Sequence, residues 1–138
     1  MTNEFSNWLS QNGLTEAFTT PAGDTLYINK QKKFGVLKKS GEYGVVSFYL
    51  DDIIEFRTYD DEKLIAEWNA LSTWRILERY TRFSTNEVYV KIKLKNQTVL
   101  KLQIFLGTNG NIDRDSIDHK NLFNYACQIS QFVYNCAK

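Results

Sequence analysis

One proline, one histidine and two cysteines are all that this chain of 138 residues has of those types. Each scarcity excludes something. With Pro21 alone, there is no proline-rich linker or polyproline segment. His119 alone supplies no histidine pair, and neither Cys127 nor Cys136 has a CxxC partner, so no four-ligand metal set exists and no metal or other cofactor is expected. The two cysteines are nine positions apart. On one helix their Cα atoms would lie roughly 13 Å from each other, too far for a disulfide. A reducing cytoplasm is therefore the expected compartment. Long apolar runs are also missing: nothing approaches the roughly 18 residues of a membrane span. The start, MTNEFSNWLSQNGL, lacks the basic and apolar regions of a signal peptide. Charge of one sign is absent too, since 17 basic and 16 acidic side chains leave +1. No whole-molecule field draws in nucleic acid or an anionic membrane, and an electrostatic partner would have to be read by a local patch.

What is present is globular composition, 43% hydrophobic and 14% aromatic, in a length that suits one domain spanning 1–138. Residues 1–20 read as a short helix and a lead-in: Phe5, Trp8 and Leu9 have helical spacing and Gly13 ends it. After the turn "TPAGD" the period becomes two, and residues 25–106 read as strands. Leu26 and Ile28 begin the run, "NKQKK" turns it, and "FGVLKK", Ser40-Gly41 and "YGVVSFYL" follow. In "IIEFRTY" Ile54, Phe56 and Thr58 alternate with Glu55, Arg57 and Tyr59, and Asp60, Asp61 and Glu62 then interrupt before "KLIAEW". Carboxylates cap backbone N–H groups in turns, so this acidic cluster reads as the joint of a hairpin. "VYVKIKL" and "VLKLQIFL" form the clearest pair, with Val88, Val90, Ile92 and Leu94 opposite Tyr89, Lys91 and Lys93. One apolar and one basic face predict an antiparallel sheet with one side in water. Finally Leu122, Ala126, Ile129, Val133 and Cys136 make an apolar stripe on a helix over 118–135 that closes the sheet.

The segments "VSFYLDDIIEFRTYDDEKLI", "VYVKIKLKNQTVLKLQIFL" and "YACQISQFVYN" together resemble the pleckstrin-homology-like (PH-like) domain of uncharacterised bacterial and phage proteins. The likeness covers roughly residues 25 to 137. It implies an α+β fold: a PH-like antiparallel split barrel of about seven strands, with a short N-terminal helix and one C-terminal amphipathic helix as its lid. In longer relatives the domain often follows a zinc ribbon, whose cysteine pairs are absent here. Those relatives also commonly carry a glycine-rich apolar run after the "KLI" strand, where this chain has "NALSTWRILERYTRFST".

The candidate sites follow from residue type. Asp51/Asp52 and Asp60/Asp61/Glu62 flank a strand of about seven residues, some 23 Å apart at 3.3 Å per residue, so they do not converge on one ion. "TNGNIDRDSID" has alternate oxygens, but it lacks the glycine and glutamate of a calcium loop. His119 falls in the first turn of the last helix, where a solvated polar side chain is the expectation. In 68–83 Trp68, Leu71, Trp74 and Leu77 recur at threes, reading as a helical insertion. Tryptophan and arginine dominate protein interfaces, which makes Trp74, Arg75, Arg79 and Arg82 the candidate partner-binding residues. Two lysine strips, Lys30, Lys32 and Lys33 on the first hairpin and Lys91, Lys93 and Lys101 on the second, are the alternative anion-binding set. The leading expectation is a non-enzymatic module that binds another protein, of the type found in phage and mobile elements acting on a host factor. The runner-up is a binder of nucleic acid or anionic lipid headgroups.

Overall fold

The computed structural model describes residues 3–42, 44–69, 75–76, 84–107, 112–113 and 117–137. Helix α1 (Asn3–Gln11) opens the chain. Gly13 ends it at φ 64°, a left-handed conformation, and a Cβ there would stand 2.7 Å from Asn29 Nδ2. Strands β1 (Thr15–Thr19), β2 (Thr25–Asn29), β3 (Phe34–Lys38) and β4 (Val45–Tyr49) then form a four-stranded antiparallel meander in that order. The lead-in expected over 1–20 thus contains a strand. "TEAFT" hides its period because it is a sheet edge with mostly exposed positions.

Alternation sorts this sheet into two faces. The rows Leu26–Leu37 and Ile28–Gly35–Phe48 face the main core, Val46 continues the first of them to an exposed end, and Tyr27–Val36–Ser47 and Asn29–Phe34–Tyr49 face the other way. Phe5, Trp8 and Leu9 of α1, with Leu14, pack on Tyr27 and Val36, so part of the outward face is covered too. On the inner face the Phe48 ring lies across Gly35, where an added Cβ would meet Cζ at 2.8 Å.

A 3-10 turn (Leu50–Asp52) passes the chain to a second layer made of β5 (Ile53–Asp60), β6 (Lys63–Asn69), β7 (Arg75–Ile76), β8 (Ser84–Thr85), β9 (Glu87–Leu94), β10 (Val99–Leu106) and β11 (Ile112–Asp113). Five of these form a sheet in the order β10-β9-β5-β6-β7, with every neighbour antiparallel. The acidic turn does join β5 to β6, but β9 lies beside β5 and not beside β6. β8 and β11 pair separately.

Helix α2 (Ile117–Ala137) closes the molecule. Its stripe Leu122, Ala126, Ile129 and Val133 is buried with Leu26, Phe56, Ile92 and Leu102 from both sheets. Each such side chain contributes roughly 1.5–3 kcal/mol by leaving water. Cys136 is half-buried against the same core, and both cysteines are free. The fold is therefore α+β, with two antiparallel sheets and a helix at each end of the chain. No ladder closes a barrel among the described residues: β1 and β4 end their sheet, and β10 and β7 end the other. No helix among the described residues is long and apolar enough to cross a membrane.

The helical reading of 68–83 does not hold where the chain is described. Trp68 and Asn69 end β6, and Arg75–Ile76 form β7 against Ala66–Glu67. Spacing by threes is outweighed here by pairing: Trp68 sits opposite Phe56 and their rings stack at 5.2 Å. Leu71, Trp74, Leu77, Arg79 and Arg82 lie outside the described residues, as does most of "TNGNIDRDSID".

Candidate functional site

The acidic turn bears first on chemistry. Asp60 ends β5 at 1% exposure; its Oδ1 accepts a hydrogen bond from Thr85 Oγ1 (2.8 Å) and its Oδ2 one from His119 Nε2 (2.9 Å). A carboxylate only accepts, so Nε2 carries the hydrogen. Asp61, at φ 53°, accepts the backbone N–H groups of Asn86 (2.9 Å) and Glu87 (3.0 Å) through Oδ1. The pair therefore clamps α2 and the start of β9 to the end of β5. The expectation of a solvated His119 is corrected: it is buried because its partner lies 59 residues away in sequence, beyond the reach of local spacing. Thr85 is fully buried as well.

A second network joins the two layers. Asp24 follows the "TPAG" turn and is 2% exposed. Its Oδ1 accepts from the Ser40 backbone N–H (2.8 Å) and its Oδ2 from the Gln103 N–H (2.8 Å), and its carboxylate pairs with the Lys39 ammonium. Lys39 also donates to the Lys101 carbonyl (2.9 Å), Thr20 Oγ1 to the Gln103 carbonyl (2.6 Å), and the Ala22 N–H to the Ile104 carbonyl (3.1 Å). Turn chemistry gave Asp24 away only as a turn residue, since its partners come from β10 and the β3–β4 connection.

The lysine strips occupy two different surroundings. Lys30 and Lys33 border a cleft of about 480 Å³ with Phe132, Asn135 and Cys136. The Lys30 ammonium lies 5.1 Å from the Phe132 ring, while Lys33 donates to the Ala137 carbonyl (3.3 Å) and pairs with Asp51 (3.5 Å). A cation on the last carbonyls suits the negative end of a helix. Burial pushes the Cys136 thiol up, with Lys30 opposing the shift. Lys32 is exposed.

Lys91, Lys93 and Lys101 project from the outer face of the five-stranded sheet. Register places Lys101, Lys91, Arg57, Glu67 and Arg75 in one row across it. Lys101 pairs with Glu87 (3.7 Å), and Arg57 pairs with Glu67 (3.4 Å) and Glu55 (3.6 Å). Lys101 also lies over Tyr89 (4.4 Å), which stacks on Tyr59 (5.3 Å). Burial first, and then Glu87, Tyr59, Glu62 and Asp61, hold the Tyr89 hydroxyl above its usual range. Three cations stand side by side in this row, with Glu87, Glu67 and Glu55 paired to two of them, as on a solvated surface laced with ion pairs.

The remaining feature is the outer edge of β4, which has no further strand beside it among the described residues. Outer strands are ordinarily guarded by charge, proline or coverage. Among the described strands, β1 carries Glu16 and its Thr19 carbonyl takes the Tyr125 hydroxyl (3.2 Å), β7 carries Arg75, and β10 carries Lys101 and gives backbone groups to the Asp24 network. β4 reads "VVSFY", with no charge and no proline, and exposes Val46 (42%) and Tyr49 (56%). Beside it lies a cleft of about 300 Å³, walled by Tyr49 and Ser47 of β4, Phe34 of β3, and Leu94, Lys95 and Asn96 of β9 and its turn. The uncharged run was visible in the sequence, but strand order, which makes it an edge, was not.

A scan against protein-family models and searches of curated proteins and of solved structures each found no match.

Proposed function

We propose that this chain is a non-enzymatic, PH-like interaction module that binds another protein by receiving one of its strands on the outer edge of β4. One observation carries the reading: β4 alone among the described outer strands of the two main sheets has neither charge nor proline, and it exposes Val46 on one face and Tyr49, next to a cleft, on the other. An unpaired strand edge offers main-chain donors and acceptors to a partner strand, and alternate side chains supply selectivity. The burial of Asp60, Thr85 and His119 supports the non-enzymatic part. Binding of nucleic acid or anionic headgroups is the less supported reading, because acidic side chains already match Lys33, Arg57 and Lys101.

Selection of extended peptides from a displayed library on the intact chain tests the reading. Selected peptides are expected to lose at least about tenfold in affinity when alternate backbone nitrogens are methylated, and again on Val46→Lys, which guards the edge. Equal affinity after both changes would overturn strand addition at β4.

A further inference from the structure

The cleft beside β4 says more about the partner. We infer that the strand received there carries one aromatic side chain, whose ring enters the cleft between β4 and the β9–β10 turn; this rests on the strand-addition reading. At about 300 Å³ the cleft is at the lower limit of ligand pockets, which run from about 300 to 1,000 Å³. That is room for one large side chain. Its walls include the Phe34, Tyr49 and Leu94 side chains, and Tyr49 is already tilted against Phe34 at a centroid distance of 5.2 Å while remaining more than half exposed. An exposed ring of this kind prefers a further ring in an offset or edge-on arrangement. The polar side of the cleft is Asp52 and Lys95, 3.9 Å apart and both well exposed. A loose surface pair of this kind contributes little by itself, so its carboxylate is available to an indole N–H or phenol O–H. An amphipathic ring, apolar in body and polar at one point, matches both walls.

A second copy of this chain fits less well. Antiparallel self-pairing centred on Ser47 puts Val45 of one copy opposite Tyr49 of the other, which brings an aliphatic side chain to the cleft. The same register is also short, because β4 ends at Tyr49 and Leu50–Asp52 leave the strand as a 3-10 turn, so only Val45–Tyr49 of each copy could pair. The occupant is therefore an extended segment of a different protein, with a central tryptophan or tyrosine.

The test uses the full chain and short extended peptides of alternating threonine and valine with a central tryptophan, compared with a central alanine. Addition of the tryptophan peptide is expected to shift the NMR amide signals of Ser47, Tyr49, Leu94 and Asn96. The alanine peptide should bind at least about tenfold more weakly. Ser47→Phe and Asn96→Trp fill the cleft from opposite walls, and either should abolish the preference for tryptophan. Equal binding of both peptides, still sensitive to backbone methylation, would overturn the aromatic anchor and leave strand addition standing. If no peptide shifts β4, strand addition fails and the anchor with it. Sedimentation showing self-association that Ser47→Phe disrupts would make the occupant a second copy and also overturn the inference.

Discussion

Asp24 is nearly out of contact with water, and its surroundings explain how a carboxylate can stay there. Two backbone N–H groups and one ammonium meet its oxygens, so desolvation is offset by charge-assisted hydrogen bonds. Truncation would orphan the Gln103 and Ser40 donors and leave Lys39 without its counter-charge. Asp24→Ala should therefore cost about 3 kcal/mol, read as a lower urea midpoint with unchanged slope. The tyrosines give a pH dependence. Burial raises the hydroxyl pKa of Tyr27, Tyr89 and Tyr125 above the ordinary 10.0. With the folded pKa above the unfolded one, the unfolded chain loses these protons first. Their contribution is complete below about pH 10 and declines as pH rises through the folded values. Melting temperatures should fall as pH rises above about 10, and Tyr89→Phe should flatten that decline.

Single elements differ in how plainly their residues announce them. The β9–β10 pair was legible because hydrophobic and lysine positions alternate without a break on both strands, and α2 because its stripe holds helical spacing from Leu122 to Val133. β1 was not legible, since its edge position removes the burial that creates a period. Spacing by threes predicts a helix at Trp68 because it describes a segment in isolation, whereas the ring of Phe56 fixes Trp68 in β6. The candidate site was the least legible part. His119 and Asp60 meet across 59 residues and Asp24 and Gln103 across 79, and β4 becomes an edge only through the sheet order. Gly35 shows how tightly one element is matched to the next. Gly35→Ala would press a methyl against the Phe48 ring, and since Phe48 is buried the ring cannot swing out; the expected cost is about 1–3 kcal/mol by thermal or urea unfolding.

For the whole molecule, α2 is the α-helix that, among the described residues, reaches the main core shared by both sheets. Removing the chain from residue 118 onward would expose Leu26, Phe56, Ile92 and Leu102 and withdraw His119 from Asp60. Leu122, Ile129 and Val133 together contribute an amount comparable to the full stability of a small domain, 5–15 kcal/mol in rough terms. A chain ending before residue 118 should show no cooperative melt by circular dichroism.

The placement of β9 beside β5 has a consequence in time. Two hairpins, β5–β6 and β9–β10, can each close locally, but the sheet exists only once they meet along β5. The Asp24 link to Gln103 spans 79 residues and has nothing to hold until both layers are assembled. Contacts of such long range are entropically expensive to form early. Folding should thus be limited by the docking of β9 on β5, with the Asp24 network closing after the barrier. In a chevron analysis Val90→Ala, within that docking surface, should chiefly slow refolding, and Asp24→Ala should chiefly speed unfolding. The same carboxylate that joins the two layers would then govern how long the folded molecule lasts, and have little part in how quickly it forms.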